Sequence, residues 1–401
     1  MVLVNAAKYV HRQAPYGLLP LIQSDLALTD LQAGLTASAF MAAYILAALP
    51  LGWLASRGCR QAWIAWPFGI SSLAVAGAGL CSGLGGFVAS RAAAGACQAG
   101  FGSAAPSFIA EHHPGRIRPL ALALYSAAIP LGSALGYVLS GRFGSLWGWR
   151  TSLAVLGLPG VVLAVAARFL PSPVGTVPAP TLPGTSAEGR RGSAMPALKT
   201  YLALLRIPSY SACTFAMALA TFAIGGFGVW MPTFFTRRGF GVSDAATMFG
   251  GITLGAGLLG ILLGGWLSGR LARVSGRWLF LVSGLGMLAA LPLGLGALLA
   301  PDLRVGAALL FSAQTLVFLY MGPLNAIVAS VAGAAQRPLA FAANIFIVHA
   351  FGDAVSPSLI GAASDAWGLT FALALALAML APAAGLCFWG ARHYSHDAQT
   401  A

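Results

Sequence analysis

Of the chain's 401 residues 58% are hydrophobic and only 8% are charged, against roughly 25% charged in an ordinary soluble domain. With a mean hydropathy of +0.83 this chain cannot turn its surface to water, which excludes soluble enzymes, nucleic-acid-binding domains and disulfide-stapled secreted modules. The net charge of +13 is therefore an orientation signal before it is a partner signal, and the expected class is an all-α polytopic membrane protein with no nucleic-acid partner.

Crossing a bilayer takes ~20 apolar residues. Runs of that length predict twelve spans, at 2–22, 31–55, 62–80, 84–110, 119–141, 151–170, 207–235, 244–268, 278–298, 305–330, 338–363 and 370–390. Met1 leads straight into apolar sequence with no basic stretch or cleavage site, so the first run reads as a span rather than a signal peptide. Thr29 and Gln32 predict a capping box at the start of span 2. Pro130, Gly132 and Gly136 allow close packing or a bend in span 5, a kink being the simpler account. Residues 171–202 are rich in Pro, Gly, Ser and Thr and form the one long loop, a flexible cytoplasmic linker between a six-span half at 1–170 and another at 203–401. The five cysteines are scattered, without metal or disulfide spacing, and no metal or other cofactor is expected.

Basic residues set the orientation. With both termini in the cytoplasm, 14 of the 22 Lys and Arg residues lie in inside segments, 5 lie in outside loops, and Lys8, Arg12 and Arg91 lie within spans. Both termini are expected in the cytoplasm, the compartment of a bacterial inner-membrane protein.

The halves repeat at a nearly constant offset. Gly52-Trp53-Leu54-Ala55-Ser56-Arg57 ends span 2 and Gly265-Trp266-Leu267-Ser268-Gly269-Arg270 ends span 8. Arg118-Pro119-Leu120-Ala121 opens span 5 and Arg337-Pro338-Leu339-Ala340 opens span 11; Asp30 pairs with Asp244, and Pro20 with Pro232. Six spans is an even number, so the second half re-enters in the same orientation. Parallel six-span repeats of this kind predict the twelve-helix fold of the major facilitator superfamily.

Gly52, Leu54, Arg57 and Arg60 resemble that superfamily's loop 2–3 motif, with Ser56 where the motif has aspartate. The resemblance implies a cytoplasmic gate at Gly52, Ser56, Arg57 and Arg60. Residues 11–22, Arg91-x-x-x-Gly95-x-x-Gln98-Ala99, Ala128–Gly136, Trp230-Met231-Pro232-Thr233-Phe234, Gly322-Pro323-Leu324-Asn325-Ala326 and His349–Pro357 resemble the spinster-like branch. That likeness implies a secondary transporter, with eukaryotic relatives moving lysolipids or sphingoid phosphates. His11 and Gln98 stand where the branch carries its carboxylates, its proton-coupling groups.

An ionisable group near the bilayer centre costs ~2.5–3.5 kcal/mol on the insertion scale and is a functional candidate by default. Arg12 falls roughly 15 Å into span 1 at 1.5 Å per residue, where a guanidinium can grip a phosphate or carboxylate bidentately. Lys8, one turn away, is expected to snorkel to the interface. His349 and Asp353 share a face of span 11 by their spacing, as a proton relay or as a buried structural pair, and Asp353 alternatively pairs with Arg12. The expected site comprises Arg12, Tyr16, Arg91, Gln98, Trp230 and Asn325, with His11, His349 and Asp353 as coupling candidates. Three cations and no acid within the N-terminal spans point to an anionic substrate. The expected activity is alternating-access transport of an amphipathic or small organic anion, with protons and membrane lipids as partners and the chain a monomer. Proton-coupled efflux of drugs or metabolites and a non-transporting sensor or scaffold are the rival readings. No nucleophile and base at catalytic spacing suggest an enzyme.

Overall fold

The computed structural model describes residues 1–57, 60–112, 117–169, 198–333 and 336–400. Sixteen helices and no strand occur among them. Span 1 is Val2–Gly17 continued by Leu19–Leu26, span 2 is Asp30–Arg57, span 3 Arg60–Ala78 and span 4 Leu84–His112. Spans 5 and 6 run on as Arg118–Arg168, interrupted at Gly148 with φ 75°. At 1.5 Å per residue that stretch is twice as long as a bilayer is thick, and the positive φ, open to glycine without strain, separates two crossings. A short helix, Leu198–Leu205, leads into span 7, Pro208–Arg237, followed by span 8, Val242–Ala272, and span 9, Trp278–Leu299. Span 10 is Leu303–Phe318 then Met321–Val331, span 11 Arg337–Phe351 then Ser356–Trp367, and span 12 Leu369–Ala378 then Leu380–Thr400. Among the described residues helices thus occupy all twelve predicted runs, with breaks inside spans 1, 10, 11 and 12. The linker at 171–202 lies outside the described residues up to 197, and so do the side chains of Gly52, Ser56, Arg57 and Arg60.

Two compact units emerge. The first takes the described residues to 169 with Gly225–Leu254 and Ala354–Leu373; the second takes 198 to Ile224, Gly255–Asp353 and Ala374 onward. The turns from span 7 to 8 and from span 11 to 12 define the far face, and the segments that carry them belong to the first unit. Lipid tails are as apolar as leucine, so helices associate here by close packing rather than by escape from water. Span 5 shows this. A Cβ on Gly132 would lie 2.4 Å from the Ala6 carbonyl oxygen, and one on Gly136 would lie 2.9 Å from the Gln13 Cβ. These glycines seat span 5 against span 1, the close packing that is one of the two readings the sequence allows. On the termini side the same unit is filled by Phe68, Phe101, Phe108, Ile64 and Tyr125.

In the second unit, Asp397 near the end of span 12 accepts from the Ser209 backbone N–H at 2.9 Å. That carboxylate satisfies one of the orphan donors that open span 7. Tyr394 meets Ser330 of span 10, oxygen to oxygen, at 3.0 Å.

Candidate substrate site

Span 1 carries the charge into the first unit. The Arg12 guanidinium carbon lies 5.6 Å from the Phe40 ring centroid, and that of Arg91, from span 4, lies 4.5 Å from the same ring. Arg91 also lies 5.6 Å from the Tyr16 ring. The rings' negative faces attract the cations, so Tyr16 and Phe40 hold Arg12 and Arg91 as one cluster. Arg12 is partly exposed and donates to the Met41 sulfur at 3.0 Å. Arg91 is 1% exposed, and none of its three guanidinium nitrogens has a hydrogen-bond partner among the described residues.

Gln98, fully buried two turns along span 4, donates its amide to the Ser71 hydroxyl at 3.2 Å and leaves its carbonyl oxygen unpartnered. His11 reaches span 6. Its Nε2 is 2.9 Å from the Leu156 carbonyl of span 6, which can only accept, so Nε2 carries the proton. The ring stacks on Phe68 at 5.6 Å and 9°. Lys8 does not snorkel: it is 5% exposed, with Nζ 4.9 Å from the Tyr9 centroid and 5.5 Å from that of Phe101. Aromatic faces give the ammonium a closer counter-surface than the interface offers.

Trp230 is fully buried and donates its indole N–H to the Pro357 carbonyl at 3.0 Å, a contact between spans 7 and 11 on the far face. Asn325 donates to the Met321 carbonyl of its own helix at 2.6 Å. Among the expected binding residues the structure thus gathers Arg12, Tyr16 and Arg91, keeps Gln98 behind them, and puts Trp230 and Asn325 to other uses. Phe40 and Met41 were missed; nothing in an apolar helix marks which aromatic will face a guanidinium.

In the second unit His349 Nδ1 meets Asp353 Oδ1 at 2.8 Å. Span 11 is broken here: helix stops at Phe351 and resumes at Ser356. Discontinuous spans with polar side chains at the break are how transporters build coupling sites at the midplane. The His349 side chain is 30% exposed, while Asp353 is buried with its side chain 12% exposed.

The far face carries its own polar cluster. Asp30 accepts from Arg237 at 2.8 and 2.5 Å, from Gln23 at 2.7 Å, and from Ser364. Asp365 accepts from the backbone N–H of Asp30 at 2.8 Å and of Leu31 at 2.9 Å. The predicted box is also there: Thr29 N to Gln32 Oε1 is 3.1 Å and Gln32 N to Thr29 Oγ1 is 3.2 Å. Span 2 is therefore capped from within by Thr29 and from span 11 by Asp365.

Twelve apolar helices, broken spans and buried cations define a membrane carrier. The chain belongs to the Major Facilitator Superfamily, whose family profile matches residues 1–357. It is 30% identical over 374 residues to the protein spinster of Drosophila melanogaster, covering 90% of this chain and 60% of the fly protein's length. An MFS-type efflux pump of Mycolicibacterium smegmatis is 27% identical over 400 residues, covering 97% of this chain and 90% of the pump. Among solved structures, a bacterial homolog of the human lysosomal transporter spinster, crystallised inward-facing and unoccupied, superposes with a TM-score of 0.86 at 19% identity. The match covers 99% of this chain and 96% of that one, and it shows the shared twelve-helix fold.

Proposed function

We propose that this protein is a secondary transporter of the spinster-like kind, moving an amphipathic or small organic anion by alternating access across a bacterial inner membrane with both termini in the cytoplasm. The observation that carries the reading is the Arg12 and Arg91 pair on Phe40, in a half whose spans hold no Asp or Glu away from their ends. A cavity wall of one sign concentrates the opposite charge. The partly exposed Arg12 contacts the anionic group, with Tyr16 and Arg91 behind it and Gln98 fixing the fourth span.

Coupling, where protons drive it, falls to His349 and Asp353, whose 2.8 Å contact sits at a broken helix. His11 serves as a post between spans 1 and 6, its donor committed to Leu156. Asp353→Asn is expected to flatten the pH profile of uptake into proteoliposomes; an unchanged profile removes the pair from coupling.

The test of substrate class is a thermal-shift screen of the purified protein with lysophospholipids, sphingoid phosphates, organic acids and cationic drugs, repeated on Arg12→Gln. A ligand that binds the folded state raises its melting temperature. Stabilisation by anions that disappears in the variant is the expected result. Stabilisation by cations, or anion binding indifferent to Arg12, favours proton-coupled drug efflux, the reading that the mycobacterial pump's 97% coverage of this chain supports.

A further inference from the structure

Pro232 lies inside span 7. Proline has no N–H, so the carbonyl four residues earlier, that of Gly228, loses its helical donor. The structure supplies a replacement from another span. The hydroxyl of Tyr137, on span 5, lies 2.6 Å from the Gly228 carbonyl oxygen. It also lies 3.2 Å from the side-chain oxygen Oε1 of Gln13, the residue after Arg12. A phenol has one proton, and the shorter contact claims it. Gln13 Oε1 is the longer, second acceptor of that hydroxyl.

The three groups form one chain, from Gln13 to Tyr137 to the Gly228 carbonyl, joining spans 1, 5 and 7. Tyr137 is 1% exposed, and Phe249 of span 8 packs edge-on against its ring at 5.1 Å. Every member lies within the first unit, as do Arg12 and the far-face contact of Arg237 with Asp30.

We propose that Tyr137 is a positioning residue for transport: its hydroxyl holds the far face shut by occupying the carbonyl that Pro232 frees. When span 7 moves away from span 5, that carbonyl has no partner on its own helix. Closure is therefore favoured for as long as the hydroxyl stays in place, and the strength of the hold is set by one hydrogen bond to an otherwise orphaned group.

The experiment reads access to the far face. Thr233→Cys places a thiol one turn inside the Arg237 rim, at a side chain only 2% exposed whose hydroxyl has no partner among the described residues. In a background lacking the native cysteines, labelling by a membrane-impermeant maleimide is measured in right-side-out and inverted vesicles. Tyr137→Phe keeps the ring and removes the hydroxyl. It is expected to raise the labelling rate from the far face by roughly five- to tenfold, the worth of one buried hydrogen bond. Pro232→Ala restores a backbone N–H to the Gly228 carbonyl, so in that background Tyr137→Phe is expected to change labelling less than twofold. Pro232→Ser serves the cycle equally, since any non-proline residue restores the donor. Unchanged labelling in Tyr137→Phe overturns the proposal. An equal rise in both backgrounds overturns it too, because the hydroxyl would then act through something other than the carbonyl freed by proline.

Discussion

A guanidinium sealed among apolar groups, with no well-formed hydrogen bond among the described residues, is kept against its own desolvation cost. Arg91 is in that position, with the Phe40 and Tyr16 rings beside it for compensation. Cation–π contact offsets ~0.5–2 kcal/mol, less than the ~2.5–3.5 kcal/mol that a central arginine costs on insertion. Arg91→Met fills similar volume without charge, so the melting temperature is expected to rise by a few degrees while the anion-induced shift shrinks. A fall in melting temperature would make Arg91 a structural strut. The charges themselves were legible, because an ionisable residue in an apolar run stands out. Their surroundings were not: Lys8 reads as snorkelling until Tyr9 and Phe101 are seen beside it. The Thr29 and Gln32 box was legible because its partners are three residues apart, whereas Asp365 caps the same helix from 335 residues away.

At the scale of elements, the ends of spans 2, 7 and 11 meet in an asymmetric lock. Asp30 is buried, its side chain 8% exposed, while its partner Arg237 is 45% exposed. Asymmetry of exposure decides which half is costlier to remove. Arg237→Gln leaves a buried carboxylate with only Ser364 and Gln23 to solvate it, which is expensive. Asp30→Asn leaves an arginine that turns to water, and the amide still bonds to its neighbours. Arg237→Gln is therefore expected to lower stability by ~2–3 kcal/mol and Asp30→Asn by about 1 kcal/mol or less, measured by thermal unfolding in detergent. The reverse order would show that the arginine, not the aspartate, is the buried partner in solution. The spans were legible from composition, and their internal breaks were not. The break after Phe351 follows a Gly352 that is one of 51 glycines, and residue type alone does not tell a hinge from a packing seam.

The parallel repeat that the sequence displays describes how the chain is built, and the compact units follow a different boundary. Equivalent positions have diverged: Asp30 is buried and paired, while Asp244 at the start of span 8 is exposed. Divergence of this kind is invisible to a motif search, since both aspartates match. Among the contacts that cross the repeat boundary on the far face is a reciprocal glycine contact between spans 2 and 11. A Cβ on Gly34 would lie 2.2 Å from the Pro357 carbonyl oxygen, and one on Gly361 would lie 2.3 Å from that of Asp30. The seam between spans 1 and 5, at Gly132, is equally tight at 2.4 Å. The two differ in what transport asks of them. Alternating access opens contacts between the sequence halves at one face and leaves contacts within a half intact. A methyl wedge at Gly361 can therefore be relieved by opening the far face, whereas one at Gly132 has no such exit and pays the overpacking cost of ~1–3 kcal/mol. Gly361→Ala is expected to remain folded, with its melting temperature within a few degrees of the parent, and to expose a thiol at Thr233→Cys to far-face labelling. Gly132→Ala is expected to lower the melting temperature clearly and leave that thiol hidden. Equal destabilisation by both, with no gain in labelling, would mean that spans 2 and 11 do not part during the cycle.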